Sequence, residues 1–315
     1  MHTPAGSARA SYWTLSLGVA GLLGGCAVEP DSDASAEGER AAEVISVNGT
    51  SNNGIALTGT SVAGVALTGL TVNAIFVSAA TMSGKPLGVV SVAETQLQAT
   101  SSTGTRLVGA AMVGATLQGQ LSNSGTIALH VDSSALLPAP NADVRVYAIS
   151  YATSTGARPL CVGANGANEA IVFPGTWNLV SVRHQWDTNQ FAVSCRGATF
   201  AKCEEMGYKG DGLLDSYHQA CTRALRADYC GDGTSHTVNG TQINLSDKLG
   251  LQIDNQAWAI ESNWTPDGAT CIGKGRVATS LVVPNVPSCM ALRALVPCVT
   301  SSWPTGVLLR TEVNK

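Results

Sequence analysis

Charge is scarce in this chain of 315 residues: Asp, Glu, Lys and Arg together make up 13%, and the formal net charge is −4. So thin and faintly negative a distribution forms no basic stripe for a phosphate backbone and no basic patch for an anionic lipid surface, which excludes nucleic acid as a partner. Cysteine is absent between Cys26 and Cys161, and no C-x-x-C occurs anywhere, so a zinc ribbon and a thioredoxin-type redox pair are excluded as well. The uncharged run from Val44 to Gly84 is interrupted throughout by Gly, Thr and Asn, which argues against a membrane-spanning helix. Nor is there a G-x-S-x-G elbow, an H-E-x-x-H or a helix carrying paired carboxylates.

What is present begins at the N-terminus. Arg9 precedes an apolar run from Tyr12 to Leu23, which is too short to span a bilayer and has the build of a secretory signal. It ends in Leu23-Gly24-Gly25-Cys26, a tetrapeptide that resembles the lipobox of bacterial lipoproteins. That resemblance implies cleavage after residue 25, acylation of Cys26 and anchoring to a membrane through the lipid. Ala27 rather than Asp after the cysteine favours the outer membrane, on its periplasmic or its cell-surface face. Residues 26–43 carry six acidic residues against Arg40 alone and almost no large apolar group, a composition that solvates rather than packs and reads as a tether.

From Val47 to Leu117, positions five apart are apolar thirteen times in fifteen, and glycine recurs two residues after them. A period of five is neither the 3.6 of a helix nor the 2 of a strand, so something must turn the chain every five residues. The register resembles the pentapeptide-repeat family, which implies a short square β-helix with the central apolar residue inward. It departs from that family in Ser51, Ala56, Ser61, Ala66 and Thr71, where Asp or Asn is usual, and in Ile55, Val65, Leu70 and Ile75, where small residues are usual. Antiparallel strands whose turns recur are the alternative. A pentad segment over residues 44–84 is therefore expected, followed by a further domain over 85–315.

Beyond Thr105 the sequence alternates between short apolar runs and turn signals, as a β-meander does, with His130 expected to be a half-buried strand histidine. Eight cysteines follow: Cys161, Cys195, Cys203, Cys221, Cys230, Cys271, Cys289 and Cys298. In an exported chain that even number implies four disulfides, with Cys289 and Cys298 expected to pair across their short loop. Two helices are expected, over residues 198–206 and 217–229, the second opened by a capping box of Ser216 and Gln219. On the second helix Tyr217, Ala220, Cys221, Ala224, Leu225 and Asp228 share one face, with Arg223 and Arg226 away from it. The fold class is thus mainly β with a small helical part (α+β): a β-meander or short pentad β-helix, then a disulfide-rich domain.

The block from Phe191 to Asp247 contains Ala227-Asp228-Tyr229-Cys230 and resembles the ADYC domain, a bacterial family; with Pro159-Leu160-Cys161 the likeness covers roughly residues 85–275. The resemblance implies a fold unit and an exported setting, and no activity, since the family is functionally uncharacterised. From the residues themselves, a hydrolytic site would take His236 as base, Asp228 or Asp232 to orient it, and Ser235 or water as nucleophile. A metal site would draw on Asp211, Asp215, Asp232 and His218, but D-G-L-L-D lacks the alternating ligands of an EF-hand loop, so neither metal nor cofactor is expected. The structural alternative makes Asp228 an acceptor for the N–H groups of the Gly231-Asp232-Gly233 turn, Gly231 a left-handed helix stop, and Cys230 a staple. Trp258 and Trp264 are expected in the core, while Trp186 and Trp303 are candidate contacts for an envelope glycan or protein partner. The reading as a whole is a lipid-anchored binding or envelope-structural module, with an envelope hydrolase as its rival.

Overall fold

The computed structural model divides the chain into Met1–Glu39 and Arg40–Lys315. It describes residues 45–47, 51–58, 66–163, 166–276 and 288–314. The lipobox, the tether and part of the pentad segment lie outside the described residues.

Six antiparallel strands close into a barrel-like sheet, each paired with the next: Val72–Met82, Ala115–Leu121, Thr126–Leu136, Arg145–Thr153, Ala170–Pro174 and Gln190–Cys195, the last returning to the first. Alternation explains why these residues do so. In Ala115–Leu121 every second residue is buried, and in Thr126–Leu136 Ile127, Leu129 and Val131 are. These side chains fill the interior together with Tyr147, Ile149, Val172 and Val193. Over Val72–Met82 the pentad segment is therefore a strand and not a coil of a β-helix, and the sheet runs across the boundary expected at residues 84 and 85. The five-residue register nonetheless marks inward residues. Leu57, Leu67, Val72, Leu97, Met112 and Leu117 are buried in the barrel core, and Val77, Met82, Leu87, Val92 and Leu107 pack against it.

A second antiparallel sheet runs in the order Ile45–Val47, Gln242–Asp247, Leu309–Val313, Ala259–Thr265, Gly268–Ala269. The Asp267-Gly268 turn closes its last hairpin as expected. Helix α1 (Thr199–Glu205) follows the barrel strand Gln190–Cys195, and helix α2 (Asp215–Arg226) is tied to it by Cys203–Cys221. Ala220, Cys221, Ala224 and Leu225 of α2 pack on Ile243, Leu245, Trp264 and Leu309 of the sheet. Helix α3 (Ser288–Ala294) is a third, which sequence reading did not foresee.

All eight cysteines after Cys26 are bridged: Cys161–Cys195, Cys203–Cys221, Cys230–Cys289 and Cys271–Cys298. The expected Cys289–Cys298 pair is corrected. Cys289 lies in the first turn of α3, and the five helical residues after it carry the chain roughly 7 Å along the axis before the segment that reaches Cys298, so the two cysteines are led apart. Each cysteine instead reaches a different element. His130 is exposed rather than half-buried, because it points outward from its strand; Trp264 is fully buried and Trp258 half-buried. No helix among the described residues is long and apolar enough to cross a membrane.

Candidate functional site

The Ala227-Asp228-Tyr229-Cys230 stretch closes α2. Ala227 itself adopts the left-handed conformation, with φ 51°, where Gly231 had been expected to do so; Gly231 turns the chain further on, with φ 71°. A helix ends with four carbonyls that lack an intrahelical partner, and here each is accounted for. Arg223 O accepts from Asp228 N at 2.9 Å and Ala224 O from Ala227 N at 3.1 Å. The guanidinium of Arg276 donates to Ala224 O at 2.8 Å and to Leu225 O at 3.0 Å. Arg226 O accepts from Ser235 Oγ at 3.0 Å and from His236 N at 3.1 Å. A cation at this end also meets the negative end of the helix dipole.

Asp228 is fully buried. Its carboxylate accepts from Asp232 N at 3.1 Å and Gly233 N at 2.8 Å, the turn partners expected from sequence. It is also ion-paired with Arg223, equally buried, whose guanidinium donates in addition to Ser181 O at 2.7 Å and Pro266 O at 3.2 Å. Arg223 and Arg226 are thus not on a wet face. Helix α2 is covered on both sides, by the sheet and by the hairpin Thr176–Asn178/Arg183–Gln185 with its connecting loop, and its polar side chains are spent on backbone carbonyls. For the same reason Ser216 and Gln219 form no capping box: α2 starts at Asp215, and Gln219 bridges Val182 O and His184 N across to that hairpin, at 2.6 and 2.8 Å.

The Tyr229 hydroxyl donates to Glu261 Oε1 at 2.6 Å and accepts from the backbone N–H of Arg276 at 3.5 Å. Glu261 is ion-paired with Arg276 at 2.7 Å, both side chains fully buried, and accepts from Thr311 Oγ1 at 2.7 Å; Trp264 Nε1 donates to Thr311 Oγ1 at 2.7 Å. Burial, then the Glu261 charge, pushes the Tyr229 hydroxyl well above its ordinary titration range. Cys230 fastens the stretch to α3. Sequence reading missed Arg223, Glu261, Arg276 and Thr311; a lone glutamate in Ala-Ile-Glu-Ser-Asn-Trp, an otherwise core-like strand, was the available sign that a buried cation had to meet it.

Among the hydrolytic candidates, Asp228 and Asp232 both lie within electrostatic range of His236, while burial holds that imidazole below its usual range. Hydrogen bonds do not assemble them into a triad. Asp228 is committed to Arg223 and the turn, Asp232 accepts from Thr234 N at 2.8 Å, Ser235 donates to Arg226 O, and His236 Nε2 has no partner among the described residues. The four metal candidates are also dispersed. Asp215 opens α2 and Asp232 lies beyond its other end, and the buried His218 bonds Phe200 O at 3.1 Å through Nε2. No group of three or more His, Cys, Asp or Glu among the described residues is arranged to hold a metal ion.

The fold and this clasp define a mainly β, disulfide-stapled protein of an oxidising compartment, outside the cytoplasm. The family model of the ADYC domain matches residues 109–278, more than half of the chain, and the chain belongs to that family. No curated protein and no solved structure matches it.

Proposed function

We propose that this protein is an outer-membrane-anchored lipoprotein, held by lipid on Cys26 through an acidic tether, whose ADYC domain serves as a binding or envelope-structural module. The carrying observation is the full commitment of the Ala227–Cys230 stretch. Asp228 and Tyr229 are fully buried and bonded to Arg223 and Glu261, so the motif holds a helix end in place and offers no reacting group to solvent. The unpartnered Nε2 of His236 favours the rival reading, an envelope hydrolase with Asp228 or Asp232.

His236→Ala separates the two. With a panel of peptidoglycan, polysaccharide and ester substrates, the module reading expects no turnover by parent or variant, and turnover abolished by His236→Ala would sink it. Anchoring is tested in the same cells: Cys26→Ser is expected to abolish incorporation of labelled palmitate and to shift the protein out of the detergent phase.

A further inference from the structure

Trp186 stands apart among the described tryptophans: it is 58% exposed, whereas Trp177 and Trp264 are buried and Trp258 and Trp303 half-buried. Its ring is nevertheless held. The edge packs on His184 with centroids 5.1 Å apart at 75°. His184 is in turn clamped by Pro174 O at 3.1 Å and by the Trp177 ring at 4.2 Å, with the Asp215 carboxylate 3.5 Å from its other nitrogen. Gly212 stands beside the six-membered ring, where an added Cβ would make ordinary contact, 3.5 Å from Cζ2 and 3.8 Å from Cη2. Gly212 has φ +111°, a backbone conformation that disfavours any larger residue at this position. A large aromatic surface is therefore fixed in advance and still open to solvent, which lowers the ordering cost of binding.

The chemistry around it selects an occupant. In sequence the ring is flanked by Asp187, Thr188 and Asn189, and the Gly212 segment brings the exposed Asp211 and Leu213. The nearby Arg183 guanidinium is engaged with Asp267 at 2.7 Å. Carboxylates, an amide and a hydroxyl in the two segments that adjoin the ring suit a ligand with an apolar C–H face and a rim of hydroxyl donors, and they disfavour polyanions. We propose that Trp186 is the stacking platform of a saccharide site, and that its ligand is an uncharged pyranose chain. This rests on the binding-module reading and names the partner class for it.

The test uses the full lipidated protein in detergent micelles, with laminarin, xylan, mannan and chitohexaose as probes. Binding is read by calorimetry and by protection of tryptophan fluorescence from acrylamide. At least one probe is expected to bind and to shield a quenchable tryptophan; Trp186→Ala is expected to lose that protection and weaken binding about tenfold, with Trp186→Phe intermediate and all three proteins melting alike. Binding unchanged in Trp186→Ala would overturn this site while leaving a binding module standing. Binding of none of the four, or self-association that Trp186→Ala abolishes, would overturn the saccharide assignment. Probe hydrolysis lost in His236→Ala would instead remove the module reading beneath it.

Discussion

At the scale of single residues, the clasp at the end of α2 stakes most on Asp228. Truncating it leaves Arg223 charged and fully buried, with only backbone carbonyls to receive it. Asp228→Ala is therefore expected to cost about 3–5 kcal/mol in urea unfolding, and Arg223→Met with Asp228→Leu to recover a large part of it. A loss below about 1 kcal/mol for Asp228→Ala would mean that the pair is not the fastening it looks to be. Two other buried groups contribute opposing parts of the pH response. Burial raises the Glu204 carboxyl from its ordinary 4.5 to about 7, against the pull of Lys209 and the Gly210 N–H. The folded chain keeps that proton where the unfolded chain has released it, so this contribution to stability falls as pH rises from 4.5 to 7. Burial, helped by the His184 charge, lowers His218 from 6.5 to about 3, so its contribution falls as pH drops from 6.5 to 3. Between 4.5 and 6.5 the two slopes oppose. Glu204→Gln removes one of them, and its stability relative to the parent is expected to grow from pH 5 to pH 8, reaching on the order of 2 kcal/mol. Urea midpoints at pH 5, 6.5 and 8 that differ by a constant amount would contradict this.

At the scale of elements, the turn after α2 is wedged as tightly as the helix end is bonded. Gly233 has φ +93°, and a Cβ there would meet Val180 O at 1.8 Å and Ser181 C at 3.1 Å, so the turn and the hairpin loop share one space. Gly240 has a similar φ of +89° with nothing within 4 Å. Gly240→Ala is expected to cost about 1 kcal/mol for its backbone alone, and Gly233→Ala clearly more, because Val180 and the N–H held by Asp228 must move too; equal thermal shifts would refute the wedge. How far the sequence betrays these elements follows from the range of the forces involved. Local signals sufficed for the bounds of α1, the Asp267-Gly268 hairpin and the N–H donors to Asp228, since each is decided within a few residues. The inward register of Leu57, Leu67, Val72, Leu97 and Leu117 was also legible, because burial leaves its mark whatever the backbone does. The closure of the barrel, the burial of Arg223 and the partners of Cys289 and Cys298 were not. Each depends on segments tens of residues away, and a helical wheel presumes a wet face that α2, covered on both sides, does not have.

At the scale of the molecule, one short strand joins two cores. In Ala170–Pro174 every other residue turns inward: Ala170 and Val172 fill the barrel, while Ile171 and Phe173 face a third cluster with Val146, Trp177, Ala192 and Phe200 of α1. The Phe173 ring meets Trp177 and His218, both at 5.8 Å, and His218 belongs to α2, which covers the second sheet. Barrel, hairpin and helix thus share a single aromatic joint, and residues Arg40–Lys315 form one compact unit. Such a joint is expected to couple unfolding of the barrel to that of the helix-covered sheet. Far-UV signal and the fluorescence of the buried Trp264 are expected to be lost together in urea with disulfides intact. Phe173→Ala should lower the midpoint by about 3–5 kcal/mol in equivalent stability, and it is the substitution expected to pull the two traces apart, because it empties the joint and spares both cores. Traces already separate in the parent would mean that the two sheets are independently stable and that the aromatic cluster only decorates their contact.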